Sequence, residues 1–407
     1  MTIKLPNHKT KIVCTIGPAS HSEKILEKLM RQGMNVARLN FSHGTLNGHR
    51  EDIRRIRSVA ARLNRSCTIL ADLPGTKIRI GKLQIEPVEL EEGNTITLTT
   101  KNVAGTASRV FVNYERLTES VSKGGLIYLN DGFIQLRVET ITLEEVVCRI
   151  LVGGQLLSYK GISLPGSKIH INPVTARDLE FIDFGLQEKV DAFGISFVER
   201  ADDIIRIRQF VKEKGRSTYL IAKIERAEAI KNIDEILEAA DAIMIARGDL
   251  GVHIPLENLP AIQKKMIHKA NLLGYPVITA TQMLLSMTDH VRPTRAEVSD
   301  VANAILDGTD AVMLSEETAI GRYPVEAVKM MARIAVSIEH ERQSINKLSD
   351  LREYFRPRLD YKETNVDDLI SFNVVESARA LPVPCIIAST KKAMNRASFH
   401  VSSRIAG

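Results

Sequence analysis

The sequence predicts an α/β fold: a (β/α)8 TIM barrel, an all-β lid inserted into it, and a shortened α/β segment at the C-terminal end. Three observations predict it. Short apolar runs alternate with amphipathic helical stretches from Lys11 to Gly81, and again from Val174 to about Glu341. These β–α units number eight, which favours a closed barrel over an open doubly wound sheet. From Lys82 to Leu164 the pattern changes to short β-branched runs set off by turn residues.

The first three strands are read at 11–17 (KIVCTIG), 35–42 (NVARLNFS) and 67–75 (CTILADLPG). Between the first two, SEKILEKLMRQG repeats its apolar residues at three and four and ends in Gly33, as a helix stop should. The first strand ends in Ile16-Gly17-Pro18, so the G-x-G-x-x-G of a dinucleotide fold is absent. The middle region carries TITLTT, SRVFVN, GLIYLN, FIQLRVET and VVCRIL, with Asn130-Asp131-Gly132 as one of its turns. An insertion at the C-terminal end of a barrel strand lies over the catalytic face, which makes it a natural lid. Five more strands follow, at 190–198, 218–225, 241–249, 275–283 and 309–317, separated by helical patterns such as ADDIIRIRQFVKEKG. Such alternation implies parallel strands joined by crossover helices. The expected boundaries are 1–81 with 165–341 for the barrel, 82–164 for the lid, and 342–407 for a linker and truncated α/β domain. That last part holds a helical pattern at 366–380 and an apolar run at Cys385–Ser389.

Composition narrows the function classes. A chain of 407 residues suggests two to four folding units. Its net charge of +6 comes from interspersed signs, with no basic block, which argues against a nucleic-acid partner. Aromatic residues are only 5% and Trp is absent, so base-stacking platforms are not expected. Cys14, Cys67, Cys148 and Cys385 match no zinc spacing and read as reduced thiols. No apolar run approaches the ~18 residues of a membrane span. A soluble cytoplasmic protein with no membrane partner is expected.

In a barrel the chemistry gathers at strand C-termini. Here those ends carry Arg38, Asn40 and Ser42; Asp72, then Lys77 and Arg79; Ser196; Lys223 and Glu225; Arg247 and Asp249; Thr279 and Thr281; and Ser315 and Glu317. Glu225 and Asp249, on adjacent strands, offer oxygen ligands to a hard divalent cation, Mg²⁺ or Mn²⁺. Arg38, Arg79, Lys223 and Arg247 would surround an anionic substrate, as suits phosphoryl transfer. Gly248 allows close backbone approach to a carboxylate or phosphate. There is no P-loop, no H-R-D kinase set and no G-x-S-x-G.

Several strings carry more specific information: TKIVCTIGPAS (10–20), GMNVARLNFSHG (33–44), SYKGISLPG (158–166), KIERAEAIKNIDEI (223–236), IMIARGDLGV (243–252), TATQML (279–284) and RPTRAEVSDVANAILDGTDAVMLSEETAIGRYPVEAV (292–328). They closely resemble those of the pyruvate kinase family, continuously from about Lys9 to Glu341. The resemblance implies phosphoryl transfer from phosphoenolpyruvate to ADP, giving pyruvate and ATP in glycolysis. It implies that Arg38 holds the transferring group and that Lys223 stabilises the shifting charge beside the enolate oxygen. Glu225 and Asp249 would bind the divalent metal. Arg247, Gly248 and Asp249 would receive the substrate carboxylate, with Ser196 nearby, and Thr281 would lie near the methylene that becomes methyl. Arg79, His43, Asn40 and, from the lid, Lys160 match nucleotide- and phosphate-binding positions.

The chain departs from the family pattern in four places. DLPGTKIRI (72–80) stands where many members have D-T-K-G-P-E-I-R-T, with Lys77 at the Glu that accompanies a bound potassium ion. A tethered ammonium can supply that charge, so K⁺ is expected to be unnecessary. Were a monovalent cation to bind, Asn40, Ser42, Asp72 and the Leu73 carbonyl would be its ligands. Glu316 replaces a glycine usual before Glu317, and Arg226 and Ser163 replace asparagines. The chain stops at Gly407, after about half of the family's C-terminal domain pattern, which puts the usual tetramer in doubt and leaves barrel contacts for a homo-oligomer. The competing readings are a metal-dependent aldolase or lyase acting through a pyruvate enolate, and a catalytically impaired relative with a binding role.

Overall fold

A computed structural model describes residues 8–166 and 174–345, together with the isolated positions 370, 373, 374 and 377. The C-terminal domain expected over 342–407, with Cys385 and the patterns at 366–380 and 385–389, therefore lies almost wholly outside the described residues.

Strands β1 (Lys11–Thr15), β2 (Met34–Asn40) and β3 (Thr68–Asp72) precede the lid. The lid supplies β4 (Val88–Leu90), β5 (Thr95–Thr99), β6 (Arg109–Phe111), β7 (Leu126–Leu129), β8 (Ile134–Ile141), β9 (Glu145–Val152), β10 (Gly154–Leu156) and β11 (Ile162–Ser163). The barrel resumes with β12 (Ala192–Ile195), β13 (Tyr219–Ile224), β14 (Ala242–Ala246), β15 (Val277–Ala280) and β16 (Ala311–Leu314). β1, β2, β3 and β12–β16 close into one parallel barrel, in the order β1-β16-β15-β14-β13-β12-β3-β2. The expected (β/α)8 barrel is thus present.

Local chemistry ends the helices where the sequence marks them. Ser22 caps the helix Glu23–Gln32 by accepting from the Ile25 N–H, and Gly33 closes it at φ +128°. Thr294 and Glu297 form a capping box at the start of Arg295–Asp307, and Gly308 closes that helix at φ +100°.

Strand parity sorts the apolar residues into two layers. Val13, Leu70, Ile221, Met244, Ile278 and Met313 belong to a small cluster that fills the barrel interior. Their strand neighbours Ile12, Cys14, Ile69, Ile243, Ile245 and Val312 face the helices in the main core. This alternation places every second residue of a strand inside the barrel. It decides which polar residues meet at the top: Thr15, Arg38, Asp72 and Lys223 each follow an interior position by two.

The lid is a six-stranded sheet, β11-β7-β8-β9-β5-β6, with the β10–β4 pair beside it. Its own apolar cluster includes Ile96, Leu136, Cys148 and Leu156. The cluster also takes in Ile78 and Ile80, ahead of the boundary expected at residue 82. Isolated bridges Arg79–Gly161 and Ile80–Val112 tie the two connecting strands into this unit.

Candidate active site

A cleft of about 900 Å³ opens between the C-terminal ends of the barrel strands and the lid. Arg38, Asn40, Ser42, His43, Lys77, Arg79, Ser196, Lys223, Glu225, Gly248, Asp249 and Thr281 line it, with Asn113 and Phe133 contributed by the lid. Most of the strand-end residues named from the sequence therefore converge on one cavity.

Its floor is a network of buried charges. Asp72 is 1% exposed and lies between two cations. Arg38 Nε donates to Asp72 Oδ2 at 2.7 Å, and Arg38 Nη2 stands 2.6 Å from the same oxygen. Lys223 Nζ lies 3.1 Å from Asp72 Oδ1, an ion pair without hydrogen-bond alignment. The same ammonium is 3.0 Å from Glu225 Oε1 and donates to Ser196 Oγ at 2.7 Å. Gly194 makes this approach feasible: a Cβ there would stand 3.2 Å from Asp72 Oδ1 and 3.6 Å from Lys223 Cδ.

Burial alone would neutralise these groups, and their partners decide the outcome. Burial acts to lower the Lys223 pKa, but Asp72 and Glu225 outweigh it and hold the amine well above its usual value. Burial acts to raise the Asp72 pKa, but Lys223 and Arg38 bring it below the usual carboxylate value. Glu225 goes the other way: burial, reinforced by the charge of Asp249, raises its pKa in spite of Lys223. At Asp249 burial is overcome by Lys77, whose Nζ lies 2.7 Å from Oδ1, and the carboxyl is held low.

Glu225 and Asp249 fit a divalent cation. They stand at the ends of adjacent strands, line the same cleft and repel one another, as oxygen ligands gathered for a shared cation do. The second oxygen of Glu225 accepts the Phe197 N–H at 2.7 Å. The monovalent ligand set is already engaged. Asp72 carries Arg38 and Lys223, the Leu73 carbonyl accepts the Ser196 hydroxyl at 2.7 Å, and Asn40 Oδ1 accepts the Ser42 N–H at 3.1 Å.

Above the floor, Gly248 N–H donates to Thr281 Oγ1 at 2.7 Å, and that hydroxyl donates to the Ala280 carbonyl at 2.6 Å. Thr281 (φ +70°) and Gln282 (φ +54°) both adopt the left-handed conformation. For a β-branched residue this is a genuine outlier, held only where the surroundings over-determine it.

Three expected positions differ. The Arg247 guanidinium is not in the cationic surround. It turns outward to Asp300 Oδ1 (2.7 Å) and the Thr281 carbonyl (2.7 Å), because both acceptors lie behind the strand end. Its contribution is to hold the strained turn at Thr281. Lys160 does not line the cleft; its carbonyl accepts the Ile80 N–H at 3.0 Å in the lid connection. Thr279 also stays out of the cleft, bonded to the Thr309 hydroxyl at 2.9 Å and fully buried, since its parity faces the helices. Glu317 is a buried acceptor for the Leu284 and Ser315 N–H groups.

Sequence reasoning missed two contributors. Thr15 accepts from Arg38 Nη1 at 2.9 Å, and its parity with Val13 was the available signal. Phe197 orients Glu225 through its main chain, which no side-chain pattern announces.

A family model described as the pyruvate kinase barrel domain matches residues 7–328. The chain belongs to the pyruvate kinase family. It is 49% identical over 389 residues to a pyruvate kinase of Thermococcus litoralis, covering 96% of this chain and 81% of that relative. It is 48% identical over 385 residues to a pyruvate kinase of Staphylococcus epidermidis, covering 94% of this chain. The chain spans 65% of that relative's length, just under two thirds. A crystal structure of a pyruvate kinase from Cryptosporidium parvum superposes with a TM-score of 0.88 at 37% identity, covering 97% of this chain and 81% of that one. Within the family frame, Lys77 is paired with the expected metal ligand Asp249, and Glu316 stands exposed on the cleft wall.

Proposed function

We propose that this cleft transfers the phosphoryl group of phosphoenolpyruvate to ADP, giving pyruvate and ATP. The observation that carries the reading is the Lys223 ammonium, 3.1 Å from Asp72 and 3.0 Å from Glu225 on the floor of a cleft that also holds Arg38 and Asp249. A charge so fixed needs no reorganisation as the reaction proceeds.

In the proposed reaction an oxygen of the ADP β-phosphate forms the new bond to phosphorus while the bond to the enol oxygen breaks. Arg38, oriented by Asp72 and Thr15, holds the transferring group. Lys223 stabilises the negative charge left on the enolate oxygen, and its high pKa keeps it an ammonium throughout. Glu225 and Asp249 would hold the divalent cation, with Mg²⁺ or Mn²⁺ as the expected ion. When bound, such a cation polarises substrate oxygens and neutralises developing charge. The Gly248 turn receives the substrate carboxylate, beside Ser196. Thr281 borders the methylene carbon, which must gain a proton to become the methyl of pyruvate. Arg79, His43 and Asn40, which line the cleft, would take the nucleotide, and Lys160 would join them from the lid connection. Lys77 in place of the glutamate, and the engaged state of Asp72 and the Leu73 carbonyl, support K⁺ independence.

The test is an assay of the purified protein with phosphoenolpyruvate, ADP and Mg²⁺. Strictly ADP-dependent pyruvate formation with stoichiometric ATP is the expected result. Pyruvate formed without ADP would favour an enolate lyase, and no product would favour a binding role; either refutes the proposal.

A further inference from the structure

We propose that Arg226 is a positioning residue for Glu225, acting through the ring and main chain of Phe197. This rests on the reading of Glu225 as a ligand of the divalent cation.

Phe197 directly follows Ser196 beyond β12, and its φ is +56°. For a bulky residue this conformation is strained, so it persists only where something holds it. It matters because the conformation aims the Phe197 N–H at Glu225 Oε2, 2.7 Å away. Lys223 holds the other oxygen at 3.0 Å, so these two contacts fix the plane of the carboxylate.

Arg226 and Gly75 are both packed on the ring of Phe197. The Arg226 guanidinium lies over it, 5.0 Å from the centroid. Gly75 lies against its edge: a Cβ there would stand 3.0 Å from Phe197 Cδ2. Arg226 is 8% exposed and pairs with Glu199, whose carbonyl accepts from Asn232 Nδ2 at 2.8 Å and whose N–H donates to Asp203 Oδ2 at 2.9 Å. Among the described residues the Arg226 Nε has no hydrogen-bond partner, and this edge of the cation packs toward the ring. An asparagine, usual at this position in the family, presents no flat cation to Phe197. The chain thus carries its own brace between an ion pair and a metal carboxylate.

The rival role is a buried ion pair that matters only for folding. Three variants separate the two, using Mn²⁺ binding to the purified protein, measured by electron paramagnetic resonance of the free ion, with thermal unfolding alongside. Arg226→Met is expected to weaken Mn²⁺ binding by about tenfold, the lower range for loss of an outer-shell partner. Arg226→Lys keeps the charge but loses the guanidinium over the ring, and is expected to recover stability more fully than Mn²⁺ affinity. Glu199→Gln keeps an acceptor for Arg226, and is expected to lower the unfolding midpoint while holding Mn²⁺ affinity within about twofold, a change of under ~0.5 kcal/mol. Wild-type Mn²⁺ affinity in both folded Arg226 variants would overturn the proposal, as would losses that track the unfolding midpoint across all three. Glu225→Gln is the separate check on the metal reading. If it leaves Mn²⁺ binding unchanged, that reading fails whatever Arg226 does.

Discussion

Replacing Lys223 by alanine perturbs the site at its most constrained point. Lys223 is 8% exposed and stands 3.0 Å from Glu225 and 3.1 Å from Asp72. In the intact floor Arg38 and Lys223 balance Asp72 and Glu225, two charges of each sign. The variant leaves one uncompensated negative charge where the enolate must form. Removing a single fixed electrostatic contact of this kind costs about 10²–10³ in turnover, or roughly 2.7–4 kcal/mol of barrier. Breaking a buried charge network also costs about 3–5 kcal/mol of stability. Turnover should therefore be measured well below the unfolding midpoint, on protein shown to be folded. The expected outcome is a fall in kcat of at least ~10², measured at saturating Mn²⁺ because Lys223 also orients Glu225. A folded Lys223→Ala variant with kcat within tenfold of the parent would refute the assignment of Lys223 to the developing charge.

Three further outcomes follow from the same geometry. Asp72 has its pKa lowered in the folded state, so its stabilisation is complete above the ordinary carboxylate value of about 3.9 and is lost as pH falls through the lowered one. Acid unfolding of Asp72→Asn should consequently show a shallower loss between about pH 4 and lower pH, and an unchanged acid limb would count against that role. Lys77→Met removes an ammonium 2.7 Å from Asp249 and is expected to tighten Mn²⁺ binding severalfold in the absence of substrates; unchanged or weaker binding would show that Lys77 does not compete for this carboxylate. Turnover should be the same in K⁺ and in a bulky organic-cation buffer, and strong activation by K⁺ would contradict the reading of Lys77.

Much of the site was legible because a parallel barrel strand has a simple rule. Its side chains alternate between interior and helix layer, and its C-terminal end opens on the cleft. Reading each run to its end found Arg38, Lys223, Glu225, Asp249 and Thr281, all of which line one cavity. The same rule, applied more strictly, would have separated Thr279 from Thr281 and brought in Thr15. It could not have found the rotation of Arg247 toward Asp300, since that depends on which acceptor lies behind the strand. Nor could it show that Phe197 would turn its main chain to Glu225, because a left-handed φ at a phenylalanine contradicts local preference.

The order of residues alone carries the barrel, the change to an all-β pattern within it, the family and the set of charges at the strand ends. Periodicity and residue type carry that information locally, within a few residues of each position. How those charges are shared depends on the folded arrangement. Asp72 became the common counter-ion of Arg38, 34 residues away, and of Lys223 across β12, and Lys77 met Asp249 at a separation of 172 residues. Such pairings arise from barrel closure, which sets distances between strands that no local pattern encodes. In a low-dielectric floor those distances decide which groups stay charged, and with them the chemistry the cleft can support.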